Sequence, residues 1–118
     1  MEPVFNHFDE AGNAIMVDVS EKEITARCAV ASGTNEVNAA VMDAIVNKTA
    51  KKGDVLGVAR VAGIMAAKRT WELIPLCHPV GLTGVDLNLT LDEREPSVEI
   101  AAEARCTGPT GVEMEALT

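Results

Sequence analysis

From Val85 to Cys106 the chain alternates apolar and polar residues with a period of two, interrupted by a single short stretch. Val85, Leu87, Leu89 and Leu91 alternate with Asp86, Asn88, Thr90 and Asp92. Val98, Ile100, Ala102, Ala104 and Cys106 alternate with Glu99, Ala101, Glu103 and Arg105. Period two puts successive side chains on opposite faces of a strand. Glu93 to Pro96 supplies a turn between the two runs. The pattern therefore predicts an antiparallel hairpin with one apolar face.

The flanking segments supply what covers that face. Ile15, Val17 and Val19 alternate with Met16, Asp18 and Ser20 as a short extended segment, and Ile24, Ala26, Cys28 and Val30 continue as a strand. Val37, Val41, Ile45 and Lys48 fall at helical spacing, so a helix is expected over about 34–49 with Thr34 as N-cap. Asp54 is placed to cap a second helix over about 55–73. Gly57 and Gly63 each weaken that helix by roughly 1 kcal/mol relative to Ala, a loss that close packing would offset. Pro75 and Pro79 end it and bracket Leu76-Cys77-His78. Thr110-Gly111-Val112-Glu113 has the spacing of a capping box and opens a last helix, which reads as cut short at Thr118. The order of elements predicts an α+β fold: a ferredoxin-like antiparallel sheet with helices packed on one face, truncated before its last helix and strand. Residues 1–14 read as a flexible N-terminal arm and 15–118 as a single domain, which the length of 118 residues also suggests.

Composition narrows the function classes. With two Phe, one Trp and no Tyr, the core falls to Val, Leu, Ile, Ala and Met, and such a chain suits burial against copies of itself. Three cysteines are too few and too odd for a disulfide framework, which points to a reducing cytoplasm. No apolar run approaches a membrane span. A net charge of −8 argues against nucleic-acid and anionic-membrane partners. Lys48, Lys51, Lys52, Arg60, Lys68 and Arg69 nevertheless place a local charge of +5 between residues 48 and 69, against −13 for the rest. Such an island suits a small anionic ligand, and a solvated helix face accounts for it equally well.

The candidate chemistry is sparse when taken residue by residue. Lys52 precedes a helix start, where phosphate is favoured, although spacing alone fits an exposed loop lysine better. Lys68 and Glu72 fit a surface pair. His78 suits acid–base work near neutrality. A metal site on Cys77 and His78 is rejected, because no second Cys/His pair stands at zinc-site spacing. A Cys77–His78 nucleophilic pair is rejected because neighbouring residues in extended chain point apart. Glu113 is accounted for by the capping box; Glu115 is not.

Taken together the motifs say more. Met16-Val17-Asp18-Val19-Ser20, Lys52-Gly53-Asp54, Ala66-Ala67-Lys68-Arg69-Thr70-Trp71, Leu73-Ile74-Pro75-Leu76-Cys77-His78-Pro79 and Thr110-Gly111-Val112-Glu113-Met114-Glu115-Ala116-Leu117-Thr118 follow one another in order. In this the chain resembles the molybdenum cofactor biosynthesis protein C family, the cyclic pyranopterin monophosphate synthases. The resemblance implies a lyase that converts 3',8-cyclo-7,8-dihydroguanosine triphosphate, made by a partner radical enzyme, to cyclic pyranopterin monophosphate with release of pyrophosphate. It implies that Leu76, Cys77, His78, Met114 and Glu115 contact substrate, with Arg27 as a further contact. Lys52 and Lys68 match catalytic or phosphate-facing lysines, and His78 and Glu113 are expected to orient the purine-derived ring. No resident cofactor is implied; Mg²⁺ would enter only with the substrate triphosphate. The family is a hexamer, a trimer of dimers with sites shared between chains. It continues beyond this point through a helix carrying a catalytic Asp and a Lys, then a final strand. The alternative expectation is therefore a catalytically weak or non-catalytic oligomerising module that binds nucleotides or pterins.

Overall fold

A computed structural model describes residues 8–51 and 53–118. The alternating runs form β2 (Leu82–Asp92) and β3 (Ser97–Gly108), paired antiparallel so that Val85 faces Ala104 and Leu91 faces Val98. A preceding strand, β1 (Thr25–Glu36), pairs antiparallel with β3, which gives the sheet order β1-β3-β2. Its register sets Ala29 opposite Ala104 and Ala31 opposite Ala102. Ala29, Ala31, Ile100, Ala102, Ala104, Val85, Leu87 and Leu89 thus share one face, as the alternation requires.

That face is covered by helices on one side. α1 (Ala39–Val46) follows β1, and α2 (Val55–Lys68) lies against β2. α3 (Thr70–Leu73) and α4 (Glu113–Leu117) are short. Gly63 allows the close approach of α2 to the sheet, since a Cβ there would sit 2.7 Å from Leu87 Cδ2. Ala104, Cys106, Val112 and Ala116 form the buried cluster, with Ala29, Ala31, Val80 and Leu82 packed around it. The architecture is the expected α+β arrangement: a three-stranded antiparallel sheet with helices on one face.

Several boundaries differ from expectation, each for a local reason. β1 runs six residues past Val30, because the polar stretch through Glu36 pairs its backbone with β3. Thr34 consequently does not cap α1; its hydroxyl donates to Glu99 Oε2 at 2.8 Å, and Asn38 Oδ1 accepts from the Val41 N–H at 2.8 Å instead. The extended segment over 15–19 carries no strand. The expected helix over 55–73 is broken at Arg69 (φ −111°, ψ 16°). There the buried Thr70 hydroxyl donates to the Ala67 carbonyl at 2.9 Å and turns the chain into α3. The capping box does not form: Val112 precedes α4 with no side-chain cap, so Glu113 is left free of that duty. Among the described residues no helix is long and apolar enough to cross a membrane.

Candidate functional site

Beyond the C-terminal end of β3 two turns face each other. The first is built by Pro75 and Leu76. The Cys77 N–H bonds back to the Ile74 carbonyl at 3.4 Å, Pro75 fixes the second position, and Leu76 takes φ +67°. This is the pattern of a type II turn, whose third position ordinarily wants glycine. A leucine there carries strain on the order of 1–2 kcal/mol. The turn redirects the chain so that Cys77 and His78 enter one pocket.

The second turn leaves β3 at Gly108 and runs to α4. Arg27, from the core face of β1, donates through Nε to the Gly108 carbonyl at 3.0 Å and through Nη2 to the Pro109 carbonyl at 3.4 Å. The Cys106 thiol donates to the Thr110 carbonyl at 3.8 Å. These bonds fix the direction in which Thr110, Gly111 and the first turn of α4 project. Glu113 folds its carboxylate back over Gly111, into the space a Cβ would occupy.

Between the turns lies a pocket of about 280 Å³. It brings together Leu76, Cys77, His78, Glu113, Met114 and Glu115, six of the sequence-predicted site residues. Segments more than thirty residues apart thus converge. The remaining three do not join them. Lys52 lies outside the described residues. Lys68 is exposed at the far end of α2. Arg27 is engaged with the loop carbonyls rather than the pocket.

Sequence reasoning missed one wall. Val17, Val19 and Lys22, from the extended segment before β1, also line the pocket. Both valines are half-buried. Lys22 is the one lysine or arginine lining the pocket among the described residues. The available signal is the Met16–Ser20 motif, which contains both valines. Asp18 sits in the same segment; the Ser20 N–H bonds to its Oδ1 at 2.8 Å and holds its carboxyl below the usual range, with His78 adding a smaller charge effect.

The electrostatics separate the groups. Burial raises the Cys77 thiol, and the Glu115 and Glu113 charges raise it further. A thiol pushed in that direction is a poor nucleophile, which agrees with rejecting a Cys–His pair. Burial likewise raises the Glu115 carboxyl, and Glu113 adds to the effect. Among the described residues no group of three or more His, Cys, Asp or Glu side chains is disposed to hold a metal ion. The pocket can therefore offer hydrogen bonds and proton-carrying groups to a ring-sized polar ligand.

Comparison with known proteins gives consistent results. A family model described as "MoaC family" matches residues 16–118. A protein of Clostridium botulinum is 59% identical over 118 residues, covering all of this chain and 74% of its own length. Relatives from Heliobacterium modesticaldum (58% over 118 residues, all of this chain and 74% of the relative) and Oleidesulfovibrio alaskensis (55% over 117 residues, 99% and 74%) are similar. Each carries the name cyclic pyranopterin monophosphate synthase.

Proposed function

This chain belongs to the MoaC family, and we propose on that footing that the pocket between the Pro75–Leu76 turn and α4 is where it acts as a cyclic pyranopterin monophosphate synthase. It is a lyase of molybdenum cofactor biosynthesis. The observation that carries the assignment to this pocket is the convergence of Leu76, Cys77, His78, Glu113, Met114 and Glu115 in one place. The substrate is the cyclised dihydro-GTP, and the products are cyclic pyranopterin monophosphate and pyrophosphate.

Making a cyclic monophosphate from a triphosphate requires an internal oxygen to attack the α-phosphorus while pyrophosphate leaves. Charge develops on the leaving group, and fixed cations are the usual means of stabilising it. Within one chain the pocket offers Lys22, with Glu113 and Glu115 beside it. Lys51, Lys68 and Arg69 lie on exposed surface outside it. The imbalance supports a site completed by a second copy, which brings its basic segment to the triphosphate. Lys52 and Lys68 then act on phosphate and proton transfer, while His78 and Glu113 hold the ring. The assembly is a hexamer built as a trimer of dimers, working in the cytoplasm without a resident cofactor.

Incubation with the cyclised intermediate tests the reading directly, because consumption distinguishes catalysis from mere binding. Release of pyrophosphate by the wild-type chain, reduced at least a hundredfold in His78→Ala, is expected for loss of a group acting on the reacting ring. Unchanged turnover in His78→Ala would remove this pocket from the reaction. Sedimentation of the chain as a monomer at micromolar concentration would overturn the shared site.

A further inference from the structure

The segment between Ala14 and β1 lines the pocket yet is scarcely attached to the fold. Among the described residues, the backbone over 15–24 makes two hydrogen bonds, and both are local. The Lys22 N–H donates to the Val19 carbonyl at 3.1 Å, and the Ser20 N–H donates to Asp18 Oδ1 at 2.8 Å. Pairing with the sheet starts only at Thr25. Val17 and Val19 are half-buried, whereas Ile15 and Met16 before them and Ile24 after them are exposed, Ile24 to 74%. Two apolar side chains therefore hold the segment, and one turn closes it on itself. Few buried contacts and no ladder of backbone bonds mark a segment that opens at little cost.

What the segment carries bears on the reaction. Val19 lines both the pocket and a neighbouring cavity of about 260 Å³, which His78 and Thr110 also share. Lys22, at the end of the turn, is exposed and lines the pocket. Among the described residues it forms no salt bridge. A lysine ammonium is a compact point charge, and its strongest contacts are charge-assisted bonds to anionic oxygen, phosphate included. Bound phosphate can meet Lys22 only while the segment lies against the pocket. Such a difference in contact is what a ligand needs to shift a segment between two positions.

We propose that residues 17–22 form a strap that closes on bound phosphate through Lys22, with the Val19–Lys22 turn as its clasp and residues 23–24 as its hinge. The proposal rests on the reading of this pocket as the substrate site. The guanine-derived ring enters without engaging the strap, and the phosphate chain latches it. Departure of pyrophosphate removes most of the anionic charge and releases the latch, so the strap opens with product release.

The test is amide hydrogen exchange of the full chain, alone and with saturating GTP or guanosine. Calorimetric affinities and pyrophosphate release from the cyclised intermediate are measured in parallel. GTP should slow exchange over 15–24 by about tenfold or more. Guanosine should slow exchange at 76–78 and 110–115 and leave 15–24 unchanged. Lys22→Met keeps the apolar stem without the charge. It should lose the GTP-induced protection of 15–24 and about tenfold in GTP affinity, while guanosine affinity stays within about twofold. If GTP slows exchange at 76–78 and 110–115 but not over 15–24, or if Lys22→Met retains either the protection or the affinity, the strap is overturned and the site reading survives. If neither ligand slows exchange at those two turns and the intermediate is not consumed, both are overturned.

Discussion

Two charged side chains decide how the pocket is held and how it responds to pH. Arg27 matched a family substrate contact, but in the chain its guanidinium is committed to the Gly108 and Pro109 carbonyls, partly out of solvent. Hydrogen bonds to a charged donor contribute about 1.5–3 kcal/mol. Arg27→Ala should therefore lower stability by about 2 kcal/mol, seen as a drop of roughly 10 °C in Tm without ligand. An unchanged Tm with lost GTP affinity would return Arg27 to the role of ligand contact. Glu115 gives the pH dependence. Its carboxyl is raised in the folded state above the ordinary 4.5, chiefly by burial. Stability is then full below 4.5 and is lost as pH rises through the folded value, because ionising the buried group costs more than ionising it in the unfolded chain. Glu115→Gln should denature at higher temperature than wild type at pH 7, and the difference should vanish as pH falls below 4.5. A constant difference across that range would mean that Glu115 does not titrate with folding.

The elements illustrate which parts of a fold local patterning carries. Strands β2 and β3 were legible because one face is apolar throughout, and α2 began where Asp54 announced it, with Oδ1 accepting the Gly57 N–H at 3.2 Å. Asp54→Ala should accordingly cost about 1 kcal/mol, measured by denaturant titration, and the sheet register should persist. What was not legible depends on partners distant in sequence. Residues 31–36 read as the approach to a helix, yet the backbone of β3 at 97–102 pairs with them and draws them into β1. The capping-box spacing at Thr110 is overridden because Arg27 and Cys106 fix the backbone of that loop from the sheet. The pocket was legible on its two proline- and glycine-marked turns. Its third wall was not, since Val17, Val19 and Lys22 lack any local signal beyond a short alternation.

At the scale of the molecule, one chain leaves much apolar surface open. Its radius of gyration is 18.0 Å, against roughly 13.5 Å for a compact domain of this length. Val58, Val61 and Met65 form a stripe along the outer face of α2, each more than half exposed, with Trp71 and Leu73 continuing it into α3. An exposed stripe of this kind is what an interface between copies would cover. The same helix carries Lys68 at its last residue, exposed and not among the residues that line its own chain's pocket. If the neighbouring copy supplies that lysine, two defective chains can repair each other. Lys68→Ala and His78→Ala would each be nearly inactive alone. In an equal mixture, a site needs Lys68 from one copy and His78 from the other. Random pairing then leaves each requirement met half the time, so roughly a quarter of wild-type pyrophosphate release should return. Adding Val61→Glu to both chains places a charge in the stripe, and should abolish the recovery while shifting sedimentation toward the 12.4 kDa chain. Absence of recovery in mixed chains that still assemble would show that each copy completes its own site.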